Sequence, residues 1–374
     1  MPKKLIIAAV SARAFVQAAV RAGHAVVALD AFADEDTRRA ARQTYRLDYG
    51  RGSFNAAQFM QTLQELRGFD ADGLIYGSGF EATPALLEKA GQRVPLIGNS
   101  PAVLSRLKTP CQFFGMLDAL GIVHPQVSYD RPQSLTGWLE KAAGGSGGTH
   151  VRRPTQTDPD VTPANTYYQR EITGEVVTVL FAAAAAAAAG EVRIIGFNSQ
   201  WTAPTADLPY RYGGAVSHAP LPSEVRRQLT DAAQWIAMEA GLCGLNSLDA
   251  IVTAETVQIL EVNPRLSATF ELYCGTDGQL FDLHLQACGG DLSLVPQAVQ
   301  YAKAHHIVYA PQPLQVPQAL QWPAWAADLP ASGSFVAEGD PLCSVTAEAG
   351  DARMAKMQAL AHERMLLDTI LNQP

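Results

Sequence analysis

Apolar and polar positions alternate along the first hundred residues in blocks that predict repeated strand–helix units. Residues 4–10 form a short apolar run typical of a buried strand, residues 12–23 have helical spacing and end in a glycine, and residues 25–29 form a second apolar run. The alternation continues as helix over 38–45, helix over 59–66, strand over 73–76, helix over 82–90 and strand over 95–97. This pattern predicts a parallel sheet covered by helices over about residues 1–98.

The pattern changes after residue 98. Helical spacing from Pro101 to about Leu120 stops at Gly121, and period-two alternation over 151–216 predicts antiparallel strands. Within that region we interpret Ala182–Ala189 as part of a hairpin strand, although alanine favours helices. An amphipathic helix is predicted over 228–240, and two apolar strands, 250–253 and 257–262, are predicted to pair as a hairpin.

The last part of the chain is proline-rich from about residue 300 and ends in a predicted helix over 352–371. It is typical of a small β subdomain with an added helix. The predicted domains are therefore 1–98, 99–298 with a lid subdomain at about 125–180, and 299–374.

Composition excludes several classes of protein. The chain has 374 residues, 48% of them hydrophobic and 17% charged, which predicts folding throughout. A net charge of −8 gives no basic surface of the kind that nucleic-acid binding requires. Five scattered cysteines predict reduced thiols, and the apolar start of the chain is too short for a signal peptide or a membrane span. We therefore expect a cytoplasmic protein without nucleic-acid or membrane partners.

A dinucleotide-binding dehydrogenase is the first alternative for such an amino-terminal pattern. The turn after the first strand is Ala8-Ala-Val-Ser-Ala-Arg-Ala14, which lacks the GxGxxG that lets a pyrophosphate approach the backbone. This absence disfavours a dehydrogenase.

Two carboxylates and an amide are spaced to meet on the predicted hairpin. Asp249 and Glu261 lie on its two strands, and Asn263 follows Glu261 on the same face because side chains alternate with period two. Hard oxygen ligands in small number suit Mg²⁺ held jointly with phosphate oxygens. The alternative is that Asp249 and Glu261 are solvent-facing strand residues and that Asn263-Pro-Arg265 is only a turn.

A glycine-rich segment precedes the antiparallel region. In Lys141-Ala-Ala-Gly-Gly-Ser-Gly-Gly-Thr-His-Val151, four glycines around Ser146 allow backbone N–H groups to turn towards phosphate oxygens, and Lys141 adds positive charge. No Gly-Lys-Ser/Thr follows, so the segment is not a Walker loop. A flexible linker is the alternative reading.

Taken in chain order, these motifs resemble the ATP-grasp superfamily over most of residues 1–290. The resemblance consists of Lys108 before the "GI-P" step Gly121-Ile-Val-His-Pro125, Lys141 with the glycines 144–148, the hinge Tyr168-Gln-Arg-Glu-Ile-Thr-Gly174, and the Glu-x-Asn-Pro-Arg strand at 261–265. It implies an α/β protein with the ATP-grasp fold, a Rossmann-like pre-ATP-grasp domain at its start and a small carboxyl-terminal β/α subdomain.

The resemblance also implies ATP and Mg²⁺ as cofactors and a role for each matching residue. Arg265 and Lys141 are the implied catalytic residues, and Asp249, Glu261 and Asn263 are the implied Mg²⁺ ligands. The implied nucleotide-binding residues are Lys108 and Lys141 at the phosphates, Ser146, Gly147 and Gly148 above them, and Gln169, Arg170 and Ile172 at the adenine.

Two positions depart from the family pattern. Val176 stands where a ribose-binding glutamate is frequent, so Glu175 is the nearest replacement. Ser247 stands where an arginine often precedes the first metal aspartate, which leaves Arg265 to stabilise charge on the transferring phosphoryl group.

The resemblance implies a ligase that joins a carboxylate to an amine through an acyl phosphate and releases ADP and phosphate. Small-molecule acids and amines are the expected partners, with a homodimer as the possible assembly. Among known ligases the chain is similar to those of cofactor biosynthesis, including enzymes for the one-carbon carriers of methylotrophs. A non-catalytic ATP-binding regulatory protein with the same fold is the alternative.

Overall fold

The computed structural model describes residues 1–50, 52–156, 164–184 and 191–372. Its mixed α/β architecture, with a parallel amino-terminal sheet and a large antiparallel sheet, confirms the predicted fold class. In the described part of the chain, no helix combines the length and hydropathy of a membrane span. All five cysteines are free thiols.

A four-stranded parallel sheet forms the amino-terminal part, in the strand order β3-β2-β1-β6. Buried aliphatic side chains on both faces explain why the strands read as continuous apolar runs. The elements are β1 (Lys4–Ala9), α1 (Arg13–Arg21), β2 (Ala25–Asp30), α2 (Glu35–Ala40), β3 (Gln43–Arg46), β4 (Tyr49–Gly50), β5 (Ser53–Phe54), α3 (Ala56–Glu65), β6 (Gly73–Tyr76) and α4 (Pro84–Gly91).

The helix predicted over residues 38–45 is wrong at its end. Helix α2 stops at Ala40, and β3 pairs in parallel with β2 from Gln43 opposite Val27 to Arg46 opposite Asp30. The run Arg-Arg-Ala-Ala-Arg favours a helix locally, but hydrogen bonds to the edge of the sheet outweigh that small propensity.

Two helices replace the single one predicted between Pro101 and Leu120. They are α5 (Pro101–Lys108) and α6 (Pro110–Leu120), which are separated at Thr109 because a residue before proline avoids the helical conformation. Helix α6 ends as predicted at Gly121, whose φ of 67° is left-handed.

A small antiparallel sheet follows, in the order β7-β10-β8-β9. Its strands are β7 (Val127–Ser128), β8 (Trp138–Ala142), β9 (Val151–Arg152) and β10 (Thr166–Arg170). The glycine-rich segment 143–150 connects β8 to β9, and β8 pairs with both β9 and β10.

An eight-stranded antiparallel sheet is the centre of the molecule, in the order β15-β14-β11-β12-β13-β16-β20-β18. Its elements are β11 (Glu175–Ala184), β12 (Glu191–Thr202), β13 (Tyr212–Ser217), α7 (Ser223–Ala240), β14 (Cys243–Val252), β15 (Val257–Asn263), α8 (Gln279–Cys288), β16 (Ala302–Tyr309), β17 (Leu314–Gln315), β18 (Ala326–Ala327), β19 (Phe335–Val336), β20 (Pro341–Ala349) and α9 (Ala352–Leu371). The predicted hairpins β11–β12 and β14–β15 are both present. Of the alanine run, Ala182–Ala184 belong to β11, and the remaining alanines lie outside the described residues.

The two faces of this sheet pack against different layers. Leu180, Ala182 and Leu245 face α1 and α8, whereas Val179 and Phe181 face α6 and α7. Because side chains alternate along a strand, Thr178 and Asp249 lie on the face that the amino-terminal domain covers. The alternation of side chains along each strand therefore decides which residues lie on the same face as Thr178 and Asp249.

The carboxyl-terminal strands continue the central sheet. Strand β16 pairs with β13 on one side and with β20 on the other, and α9 packs against β16 and β20. The predicted boundary at residue 298 therefore falls between α8 and a strand of the same sheet. The division into 1–98, 99–298 and 299–374 stays a prediction.

Two glycines of helix α6 make a matched pair for testing the helix end. Gly121 needs its positive φ, whereas Gly115 lies in the exposed helix interior, and a Cβ at either position meets open space. Gly121→Ala is expected to destabilise the protein by about 1 kcal/mol through backbone strain, and Gly115→Ala to stabilise it by about 0.5–1 kcal/mol. Thermal unfolding of the two variants checks these opposite shifts, and equal shifts would contradict the assigned helix end.

Candidate functional site

The hairpin β14–β15 brings the two predicted carboxylates together. Asp249 is the direct cross-strand partner of Glu261, and Asn263 pairs with Ser247 two positions further along. On the other side of β14, Asp249 is opposite Thr178 of β11, whose hydroxyl donates a hydrogen bond of 2.6 Å to Asp249 Oδ1. The Asn263 amide donates to Asp249 Oδ2 at 3.1 Å.

Lys108, at the end of α5, places its ammonium over this group. Its Nζ donates to Glu261 Oε2 at 3.1 Å and to Asn263 Oδ1 at 2.9 Å. The Lys108 side chain is 6% exposed, so its ammonium interacts with these protein groups rather than with solvent. A cation is thus already held where the two carboxylates meet.

The two carboxylates differ in their electrostatic surroundings. Burial raises the pKa of Asp249, and the neighbouring charge of Glu261 raises it further. Burial also opposes ionisation of Glu261, but the positive charges of Lys108 and Lys141 hold its pKa below the usual value. A further positive charge beside Asp249 would therefore stabilise its ionised form.

Lys141 projects from β8 towards the same carboxylates. Its Nζ donates to Gln169 Oε1 of β10 at 2.6 Å. Burial lowers the pKa of Lys141, while Glu261 and Asp249 raise it. The Gln169 amide Nε2 is buried without a hydrogen-bond partner, so a donor is free to bind a ligand there.

The glycine-rich segment lies over the site as a lid. Gly144 packs so closely on Glu81 and Ala82 that a Cβ would lie 2.7 Å from the Glu81 carbonyl oxygen, and Gly148 approaches the Tyr210 carbonyl even more closely. Gly147 accepts a backbone hydrogen bond from Tyr212, and Ser146 contacts the hydroxyl of Tyr49. The glycines are needed for this close approach.

A cavity of about 30 Å³ remains beneath the lid. Its wall includes Lys108, Gly144, Gly145, His150, Tyr167 and Glu261. Pockets that hold small-molecule ligands are about 300–1,000 Å³. A ligand larger than a few water molecules therefore requires the lid to lift.

The predicted adenine hinge has a mixed placement. Gln169 is buried beside Lys141, whereas the backbone N–H groups of Arg170 and Glu171 donate to Gln126 and Gly137. The Arg170 guanidinium stacks over the Trp138 ring at 4.6 Å, away from the carboxylates. Ile172 follows directly after this segment and is half-buried.

Glu175 is not brought to the other predicted residues. It is exposed at the start of β11, on the opposite face from Thr178, and accepts a hydrogen bond of 2.6 Å from Ser199. Val176, by parity, is on the site face. The expectation that Glu175 replaces the ribose-binding glutamate therefore has no geometric support.

Arg265 is held by a residue that the sequence analysis missed. Its Nε donates to Glu81 Oε1 at 2.6 Å, and its Nη2 donates to Asn263 Oδ1 at 3.1 Å. Glu81 follows β6 in the amino-terminal domain, is 3% exposed, and accepts backbone hydrogen bonds from Gly79 and Phe80. A carboxylate 184 residues away in sequence thus aims the guanidinium at the site.

The donor set fits Mg²⁺. Two carboxylates and one amide are hard ligands too few to enclose the ion alone, which leaves positions for phosphate oxygens and water. The Asn263 oxygen now accepts from Lys108 and Arg265, while its NH₂ faces the carboxylates. For Asn263 to act as a ligand, its amide has to rotate so that the oxygen replaces the NH₂.

Comparison with known proteins agrees with this geometry. Residues 111–269 match the family model described as the ATP-grasp domain. A search of curated protein sequences gave no significant match. The solved structures below are all under 25% identical to this chain, so their likeness concerns the fold.

Three solved structures illustrate the likeness. N5-carboxyaminoimidazole ribonucleotide synthetase from Thermotoga maritima has a TM-score of 0.67 and 14% identity, with 97% of this chain and 98% of that chain covered. An L-amino acid ligase from Bacillus licheniformis has a TM-score of 0.68 and 14% identity, with 98% and 97% covered. The biotin carboxylase domain of Hydrogenobacter thermophilus 2-oxoglutarate carboxylase, in complex with MgADP, ADP and bicarbonate, has a TM-score of 0.72 and 12% identity, with 96% and 90% covered. Residues 111–269 thus match the ATP-grasp domain, and the fold of the chain is similar to that of these three enzymes.

Proposed function

We propose that this protein is a Mg²⁺- and ATP-dependent ligase that forms an amide between a carboxylate and an amine through an acyl phosphate. The observation that carries the proposal is the convergence of Asp249, Glu261 and Lys108 beneath a glycine lid. The proposal is supported because the candidate metal ligands and the candidate phosphate-neutralising cations lie close together. Such a clamp stabilises a phosphoryl group during transfer.

The proposed roles follow from position. Asp249, Glu261 and Asn263, the last with its amide rotated, would hold Mg²⁺, which would neutralise phosphate charge as a Lewis acid. Lys108 and Lys141 turn from the protein oxygens they now contact, Glu261 and Gln169, towards nucleotide phosphates. The backbone N–H groups of Ser146, Gly147 and Gly148 cover the phosphates from above.

Arg265 is proposed to stabilise the charge that develops on the transferring phosphoryl group. Its Nε is occupied by Glu81 and its Nη1 by the Leu266 carbonyl, so Nη2, now on Asn263, is the group that turns to substrate. Glu81 fixes the plane of the guanidinium and therefore acts as a positioning residue.

Among the described residues that line the cavity under the lid there is no cysteine, serine or threonine. Cys288 and His284 lie 3.8 Å apart, but they are at the end of α8, outside the cavity under the lid. A hydrogen bond with Cys243, together with burial, raises the pKa of the Cys288 thiol. The phosphoryl acceptor is therefore the substrate carboxylate. Its oxygen attacks the γ-phosphorus and ADP leaves; the amine then attacks the acyl carbon, loses a proton and displaces phosphate.

The wider context is also a proposal. The net charge of −8 and the absence of a membrane-length helix in the described residues are compatible with a cytoplasmic enzyme that acts on small molecules without nucleic acid. A homodimer and a place in cofactor biosynthesis, including that of one-carbon carriers, stay predictions. Light scattering after size-exclusion chromatography tests the homodimer.

The reaction class is tested by product analysis. With ATP, Mg²⁺ and a panel of carboxylic acids, we expect ADP and phosphate to appear together only when the correct acid is present. Hydroxylamine is expected to trap the acyl phosphate as a hydroxamate. Release of AMP and pyrophosphate would identify an adenylating enzyme, and nucleotide binding without turnover would favour the regulatory alternative.

Removing either carboxylate is expected to abolish most of the turnover. Asp249→Asn and Glu261→Gln should each lower kcat by about 10²–10³-fold, because phosphate charge loses its compensation. Glu255→Gln, in the exposed turn of the same hairpin, is the matched control and should behave like wild type. Steady-state kinetics checks this, and wild-type rates in the first two variants would refute the metal site.

The Glu81–Arg265 pair has a separate prediction. Glu81→Gln leaves a buried guanidinium without its counter-charge, so it should reduce the free energy of unfolding by about 3 kcal/mol. It should also lower kcat while leaving the KM for ATP near the wild-type value, because only the aim of Arg265 changes. Urea unfolding and kinetics measure both effects. Exposed Glu88→Gln on α4 is the control, and an unchanged kcat in Glu81→Gln would remove Glu81 from the mechanism.

A further inference from the structure

A second cleft, with a volume of about 250 Å³, lies beside α1. It is bounded by α1, by the segment that follows β15, and by β16 and β20. Its lining shares no residue with the cavity beneath the lid. The charged groups in its wall are Arg13, Arg21, Lys303, Glu271 and Glu348.

One of the three cations is already neutralised. Arg13 is 5% exposed and forms a two-fold hydrogen bond with Glu271, at 2.7 Å on each arm, and a 2.9 Å contact with Asp328. This buried network makes the floor of the cleft. It holds Glu271 in place, and His305 and Lys303 also act electrostatically on the Glu271 carboxylate.

The other two cations have no such partner. Arg21 is exposed in the last turn of α1, and Lys303 is half-buried on β16. Lys303 is directly opposite Glu348 in the β16–β20 register, yet the salt bridges within the described ranges include neither Lys303 nor Arg21. The Lys303 ammonium and the Arg21 guanidinium therefore line the cleft without a salt bridge to a carboxylate of the described residues.

Burial raises the pKa of the Cys274 thiol in the wall of the cleft, and the charges of Lys303, Arg21 and Arg13 oppose that rise. Gln17 and Thr276 add neutral hydrogen-bonding groups beside the cations. Charge and hydrogen-bonding capacity thus coincide in one concave surface.

We propose that this cleft binds a small organic anion, at a site separate from the ATP site. The ligand carries a carboxylate or phosphate group that pairs with Lys303 and Arg21, and its remaining atoms contact Gln17 and Thr276. A volume somewhat below the roughly 300–1,000 Å³ of pockets for drug-sized ligands limits it to a small metabolite. The site does not depend on the proposed ligase reaction.

The test uses sodium succinate and sodium phosphate as probes at about 20 mM, with sodium chloride at equal ionic strength as reference. We expect succinate or phosphate to raise the melting temperature of the wild-type protein by about 2 °C or more. The anion that produces the rise identifies the head group. The double variant Arg21→Gln/Lys303→Gln should lose the rise, and the charge-preserving Lys303→Arg should retain it.

Two single variants separate this site from its surroundings. Lys89→Gln removes an exposed charge on α4, and Lys108→Gln removes a cation of the ATP site; both should keep the wild-type rise. No rise with either anion, or an equal rise in the double variant, would overturn the proposal. A change of molecular mass in sedimentation on mutating the pair would overturn it too, because a second copy of the chain would then cover the cleft.

Discussion

The register of one hairpin sets the constraint on which the rest of the site depends. Pairing of β14 with β15 places Asp249 directly beside Glu261 on a largely covered face, and two carboxylates there repel each other unless a cation lies between or above them. Lys108 supplies that cation from α5. In the proposed function, the negative potential that retains the lysine ammonium would also attract a divalent ion that carries phosphate. The two carboxylates are thus neutralised by Lys108 in this structure and would be neutralised by the ligand in the proposed complex.

Buried ion pairs join the amino-terminal domain to the segment that follows β15, and one of them lies at the candidate site. Glu81 forms an ion pair with Arg265. Arg13 forms a second ion pair with Glu271, which follows Arg265 closely in the chain. Both pairs are desolvated, so loss of one partner leaves an unpaired buried charge. The segment that carries Glu81 also packs under Gly144 of the lid. The segment at Glu81 therefore contacts the lid and also orients the Arg265 guanidinium.

Local patterns predicted much of this architecture. The hairpin and its converging residues could be read from spacing because cross-strand geometry fixes which side chains meet. Glu81 and Arg13 could not, since their partners lie far away in sequence and a lone acidic or basic residue after a strand carries no signal of its partner. Strand β3 was missed because its Ala/Arg-rich approach favours a helix. The family pattern alone suggested Glu175 for the ribose. Because side chains alternate along β11, Glu175 lies on the face of the sheet opposite to Thr178.

Strand β16 lies in the middle of the central sheet, between β13 and β20, although it is among the last strands in the chain. During synthesis, β13 therefore emerges from the ribosome with its hydrogen-bonding edge open, and this edge stays open until residues 302–309 have followed. Such an edge is able to pair with other chains. Shortening the protein at residue 298 would make that transient exposure permanent, so a fragment that retains every residue proposed to bind phosphate would be prone to aggregate.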